Sequence, residues 1–334
     1  MTGRGALVLC ALLAATATAA ADPFELKLAF FSSDRSATFQ AGLQPFIEAV
    51  NAEAKGLIHI RLYPSGALGK EIPAQPRLVL DGGADLAFIV PGYTPQLFPD
   101  NSVVELPGLF RNGREATLVY NRLIAEKALM GYREFVVIGA YTTEPEAIHS
   151  RVPIASLADL LGKRIRVSNA GEAAALKRLG AIPVLVPITE VAGAMSSGRI
   201  DAAVISLTPL MDFGISRVAT HHYLLGISGP TLALVMNHKV FDGLPPDAQA
   251  IIQKYSGTWT AERFIQGYDA SGRRVLDQLK SDPKRTVTFP SAADLRQADV
   301  AFKAARDDLV NGNPHAQSLV RAVENEIANL REPE

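Results

Sequence analysis

Strand-like and helix-like segments alternate along this chain twice over, and that order limits the fold more than any single residue does. FELKLAFF alternates in polarity, residues 37–54 carry apolar residues at helical spacing and stop at Gly56, and LIHIRLYP alternates again with Ile58, Ile60 and Leu62 on one face. A short helix over PAQPRLVLDGG, an apolar strand ADLAFIV, a helix over REATLVYNRLIAEKALM and a strand EFVVIGAY continue the pattern. A second run opens at Ser156, where SLAD places a capping serine three residues ahead of Asp159 and Gly162 is placed to end the helix. KRIRV, GEAAALKRL, IPVLV, a helix from Thr189 to Ser197 and DAAVISL then repeat the same order. The expectation is an α/β fold with largely parallel strand pairing and helices on both sheet faces. TLALVMN adds a late strand ahead of a long helical stretch, 246–279, in which Gly257, Gly267 and Gly272 are candidate breaks or bends. RTVTF, a helix capped by Ser291 and a helical tail after Pro314 complete the chain.

Composition narrows the compartment and the partners. Arg4 followed by LVLCALLAA and TATAAAD has the layout of a secretory signal peptide, with cleavage after Ala19 or, preferred, Ala21. Cys10 is the sole cysteine and falls in the discarded apolar stretch; Leu9 before it is too bulky for a lipid-anchor site. The exported chain then has no thiol, so disulfides, thiol catalysis and thiolate metal sites are excluded. Loss of Arg4 leaves 32 basic residues against 34 acidic ones, a balance that attracts neither nucleic acid nor anionic lipid. A chain of this length with 48% hydrophobic residues exceeds one core, so two domains are expected.

Catalytic constellations are missing from the sequence. There is no Gly-x-Ser-x-Gly elbow, no P-loop, no Gly-x-Gly-x-x-Gly fingerprint and no His-Glu-x-x-His, so neither cofactor nor metal is expected. His221 and His222 are adjacent, which on a strand sends them to opposite faces, as suits a surface or satisfied pair better than a shared metal. Glu144 and Glu146 have no nucleophile beside them in sequence and read as a solvated hinge pair.

Arg166 is the candidate binding residue. In KRIRV the apolar Ile165 and Val167 share one face and Arg164 and Arg166 the other, at the end of a strand, where ligands of open α/β sheets collect. A guanidinium there can hold a carboxylate through two parallel hydrogen bonds. The same spacing also suits pairing with a surface acid, and by spacing alone Arg164 is as good a candidate as Arg166.

Six segments in order resemble the periplasmic solute receptors of tripartite ATP-independent (TRAP) transporters, of the dicarboxylate-receptor (DctP) type. They are LYPSGALGKE, DGGADLAF, VELPGLF, LADLLGKRIRV, LGAIPVLVPITEVAGAMSSGRIDA and LALVMNHKVFDGLPPDAQAII. The resemblance covers roughly Leu26 to Leu309. It implies a two-domain clamp with a hinge, a ligand cleft between the domains, and a long helix crossing between them. On this chain it divides residues into 22–143 plus 231–270, 144–230 plus 271–313, and a helical tail 314–334, with hinge segments near 143 and 230. It implies an expected monomer in the periplasm that delivers a small organic acid to a TRAP membrane permease, without catalysis. It also implies that Arg166, not Arg164, takes the substrate carboxylate.

Departures from the family pattern concern the substrate. Glu146 falls where sialic-acid-type receptors have a second arginine; Val204 and Ile205 stand for a glutamate and an asparagine; Phe31 and Val90 occupy positions that are polar in sugar-acid receptors; Ile188 replaces a frequent aromatic ring. With Phe88, Tyr93 and Ser206 these residues outline an apolar pocket with one cation, suited to a monocarboxylate with an apolar or aromatic body. Glu146 either accepts a hydrogen bond from a ring hydroxyl at the far end or is a hinge residue facing water, and the aromatics serve either pocket or core. Two other classes stay open, an exported enzyme acting on a small acid and a binding protein serving a sensor kinase. Turnover of an acid would mark the first, and a kinase gene in place of a permease gene beside this one the second.

Overall fold

The computed structural model describes residues 23–331, so the leader expected over 1–21 lies outside the described residues. The first half of the chain contains β1 (Phe24–Ala29), α1 (Gln44–Glu53), β2 (Ile58–Tyr63), α2 (Gln75–Leu80), β3 (Leu86–Ile89), α3 (Gly113–Ala125) and β4 (Phe135–Thr142). There follow β5 (Ala147–Ser150), β6 (Arg164–Val167), α4 (Ala170–Arg178), β7 (Ile182–Leu185), α5 (Val191–Ser196), β8 (Ala202–Ile205), α6 (Leu207–Asp212) and β9 (His221–Tyr223). The chain ends with β10 (Thr231–Asn237), α7 (His238–Asp242), α8 (Pro246–Lys254), α9 (Thr258–Ser281), β11 (Thr286–Thr288), α10 (Ala292–Val310) and α11 (Pro314–Arg331).

These elements build two sheets, ordered β2-β1-β3-β10-β4 and β11-β9-β5-β8-β6-β7. The expectation of largely parallel pairing needs correction, because one internal strand of each sheet is reversed. β10 runs against both β3 and β4, and β5 against both β8 and β9. Those strands are also the ones the chain enters on its first two passages between sheets, through 143–146 from β4 to β5 and through 224–230 from β9 to β10; a third, through α9, leads to β11.

Period-2 alternation sorts the side chains of each strand into two cores. On the first sheet Leu26, Leu28, Leu86 and Phe88 face one cluster, while Ala29, Ala87 and Ile89 face the other. On the second sheet Ile165, Val167 and Val204 share a cluster, and Ala203 and Ile205 lie in the opposite one. The long helix α9 joins the two halves: Phe264 and Tyr268 pack beside Phe88 and Tyr141, and Val275 and Leu279 pack with Ala203 and Ile205. The C-terminal helices return in the same divided way, with Phe302 of α10 in the second sheet's core and Leu319, Val323 and Ile327 of α11 in the first sheet's core.

Of the three glycines expected to interrupt the long helical stretch, only Gly257 does so, with a φ of +61° between α8 and α9. Gly267 instead permits close approach, since a Cβ there would lie 2.4 Å from that of Ala41. The strands β5 and β9 and the helix α6 were not expected. Each is short, and HHY and AIHS carry no clear alternation.

Candidate ligand-binding site

The four-residue strand β6 decides the fates of its two arginines. Arg164, at its amino end and half exposed, donates from Nε and Nη2 to Asp201 at 3.2 and 3.0 Å. Arg166, at the carboxyl end, is 2% exposed and enters the space between the sheets. Its Nε donates to the Val186 carbonyl (2.9 Å), Nη1 to the Val204 carbonyl (2.7 Å) and Nη2 to the Tyr93 hydroxyl (2.8 Å). A guanidinium has five N–H groups, so one remains on each terminal nitrogen, the pair that grips a carboxylate end-on.

Strand ends from both sheets enclose the cavity over this guanidinium. Phe31 follows β1, Phe88 and Val90 come from β3 and its end, Tyr93 from the turn after it, Ile188 from the turn after β7, and Ile205 and Ser206 from the end of β8. Phe88 lies 5.8 Å from Phe31, centroid to centroid. The cavity offers about 60 Å³ to the centre of a water-sized sphere, where one water needs ~10–15 Å³. That space suits a single small molecule.

Two carboxyl groups complete the electrostatics. Glu146 is 2% exposed; its Oε1 accepts from the Ser206 amide at 3.0 Å, and its carboxyl also hydrogen-bonds the Glu172 carboxyl. Burial, then the nearby Glu172 charge, pushes the Glu146 carboxyl well above the ordinary range against the pull of Arg166, which favours its protonated form. Glu172, on the first turn of α4, is raised by burial but accepts from the Ser168 amide and hydroxyl (2.7 and 2.8 Å) and from Asn169 (3.0 Å). Burial pulls the Arg166 guanidinium down, but Tyr93, Glu146 and Glu172 raise it further, so it stays charged. One cation beside two acids is a poor host for a ligand carrying two negative charges.

Residues 30–312 match the profile of the bacterial extracellular solute-binding protein, family 7 (DctP). The chain belongs to that family. Among its relatives is the 2,3-diketo-L-gulonate-binding periplasmic protein YiaO of Escherichia coli, 24% identical over 322 residues, which cover 93% of this chain and 95% of that protein. Among solved structures, a marine-metagenome TRAP solute binding protein specific for aromatic acid ligands, bound to metahydroxyphenylacetate, superposes with a TM-score of 0.85 at 24% identity. It covers 92% of this chain, which in turn covers all of that one. A TRAP solute binding protein from Rhodoferax ferrireducens, with copurified benzoate, gives 0.78 at 25% identity, covering 91% of this chain and 98% of that one. The fold is thus the two-domain α/β clamp of TRAP solute receptors, with the cleft between the sheets and α9 crossing it.

In this family 7 protein all nine residues expected at the pocket, namely Phe31, Phe88, Val90, Tyr93, Glu146, Arg166, Ile188, Ile205 and Ser206, line the one cavity. Val204 differs: its side chain is in the core and only its carbonyl serves the site. The reading of Glu144 and Glu146 as a solvated pair is overturned. Glu146 is buried, and Glu144 Oε1 accepts from the Leu207 amide at 2.8 Å. Nor does Glu146 stand at the far end from Arg166, because both rest on backbone atoms of β8 and its extension, two residues apart. His221 and His222, by contrast, point to opposite faces of β9 as expected for a strand. His221 is half-buried, and His222 meets His149, 2.8 Å between their Nδ1 atoms. Sequence reasoning missed Thr38, Thr143, Phe213 and Tyr268 in the cavity wall. Tyr268 lies in α9 among helix-spaced core residues, and its hydrogen bond to Thr38 (2.5 Å) leaves no signal in spacing.

Proposed function

We propose that this receptor captures a monocarboxylate with an apolar or aromatic body in the periplasm and delivers it to a TRAP membrane permease. The observation that carries this reading is a single buried guanidinium with two unspent N–H groups in an otherwise largely aromatic and aliphatic cavity. The carboxylate lies end-on against Arg166, and Phe31, Phe88, Val90, Ile188 and Ile205 enclose the body. A sugar acid would bury hydroxyls against these side chains at ~1–3 kcal/mol for each left unpaired. The aromatic acids held by two of the similar structures agree with this choice. Residues 22–143 with 231–270 and 144–230 with 271–313 act as the two bodies of the clamp, closing about 143 and 230 because the ligand binds the closed form better than the open one.

A thermal-shift screen of the purified protein tests the reading. Benzoate and phenylacetate at a hundred times their dissociation constants stabilise by ~2.7 kcal/mol, a rise of roughly 5 °C or more in Tm. Succinate and galacturonate should leave Tm unchanged. The reverse pattern would remove the substrate class while leaving the fold untouched.

A further inference from the structure

We propose that Glu146 and Ser206 form a second recognition point that reads a hydroxyl on the carbon next to the ligand's carboxyl group. The preferred ligands are then 2-hydroxy monocarboxylates with an apolar body. This rests on Arg166 holding the carboxylate.

Three observations converge. Both side chains line the cavity at 2% and 1% exposure; Ser206 Oγ has no hydrogen-bond partner in the protein, and the Glu146 carboxyl, which meets Glu172, accepts at Oε2 from no N–H or O–H group. A buried hydroxyl is seldom left so, and a purely apolar ligand would strand that of Ser206. Their other commitments are already met. Ser206 stands at the start of α6 yet its hydroxyl caps no amide of the helix, whose third residue, Pro209, has no N–H to offer; the Leu207 amide goes to Glu144 and the Ser206 amide to Glu146 Oε1.

Position supplies the third observation. Arg166 Nη1 rests on the carbonyl of Val204 and Glu146 Oε1 on the amide of Ser206, and Ser206 continues the extended backbone of β8. In an extended chain the carbonyl of one residue and the amide two residues on point to the same side, and successive residues rise only ~3.3 Å. The guanidinium and the carboxyl are therefore neighbours along one edge. A ligand group that meets Glu146 while its carboxylate is on Arg166 lies near the carboxyl carbon, not across a ring. It must also serve two partners, as a hydroxyl does by donating and accepting at once. Protonated Glu146 gives its hydrogen to Glu172 and keeps lone pairs that can accept from a ligand hydroxyl.

Calorimetric titration with phenylacetate, mandelate and 3-hydroxyphenylacetate is the test, on the wild type, Ser206→Ala and Glu146→Ala. Mandelate should bind the wild type about tenfold more tightly than phenylacetate, and 3-hydroxyphenylacetate no more tightly than phenylacetate. In each variant the mandelate preference should shrink to about twofold or less. Should Glu146→Ala fail to fold by circular dichroism, Ser206→Ala alone decides. Equal wild-type affinities for mandelate and phenylacetate, a gain confined to the 3-hydroxy acid, or a preference that survives in Ser206→Ala would each overturn the inference and leave the monocarboxylate reading intact. Binding of none of the three acids would overturn both.

Discussion

Arg164 and Arg166 are the same residue type on the same face of one strand, and the four-residue length of β6 alone separates an exposed ion pair from a buried anchor. Strand alternation makes both visible in the sequence, but only the resemblance to TRAP receptors chose between them. Arg164→Ala should change ligand affinity by less than about twofold and stability by ~1 kcal/mol or less, because exposed pairs contribute little; titration and urea unfolding would check both. Glu146 was less legible, since it lies in a connector without periodicity and its burial depends on Ser206, sixty positions away. His149 gave no signal at all. Its Nε2 faces the Ile205 carbonyl and so donates, which makes its Nδ1 the acceptor for the Nδ1–H of His222. Burial, then the partner His222, lowers His149 to about 3, and burial, then Arg285 and His221, lowers His222 to about 4. The unfolded chain, with histidines near 6.5, takes up these protons first, so the pair's contribution is complete above that pH and is lost as pH falls toward 4. Thermal unfolding between pH 7 and 4.5 should therefore fall more steeply in the wild type than in the double variant His149→Gln, His222→Gln. Equal slopes would remove the pair from the pH response.

Among the elements, α9 shows where sequence rules reach and where packing overrides them. A long helical stretch was visible, with Gly257, Gly267 and Gly272 as equal candidates for its break; only Gly257 breaks it, and Gly267 and Gly272 differ in what surrounds them. A Cβ on Gly267 would meet Ala41 at 2.4 Å, but one on Gly272 would meet only Glu144 Oε1 at 3.9 Å. Gly267→Ala should cost ~1–3 kcal/mol by overpacking. Gly272→Ala should gain up to ~1 kcal/mol from helix propensity. Denaturant midpoints distinguish them. The same limit explains β5 and β9, whose three or four residues are held in place by neighbouring strands and not by a pattern of their own.

At the scale of the whole molecule, the two loop crossings between the sheets, at 143–146 and 224–230, and the division of α9 between two cores set the cavity at the carboxyl ends of strands from both halves. The alternating order foretold that arrangement in outline; the reversed strands β5 and β10, which create the crossings, could not be read from it. Among the contacts across the cleft are Arg166 with Tyr93, and Asp212, which accepts from the Ala37 amide at 3.1 Å. Asp212 is exposed, so Asp212→Ala should raise the ligand dissociation rate by only a fewfold, with little change in association, as stopped-flow kinetics would show. Arg166 is the proposed anchor of a single carboxylate. Breaking a buried ion pair costs ~3–5 kcal/mol, so calorimetry on folded Arg166→Ala, with whichever acid stabilises the wild type most, should show affinity reduced by about two to four orders of magnitude. An affinity equal to that of the wild type would contradict it.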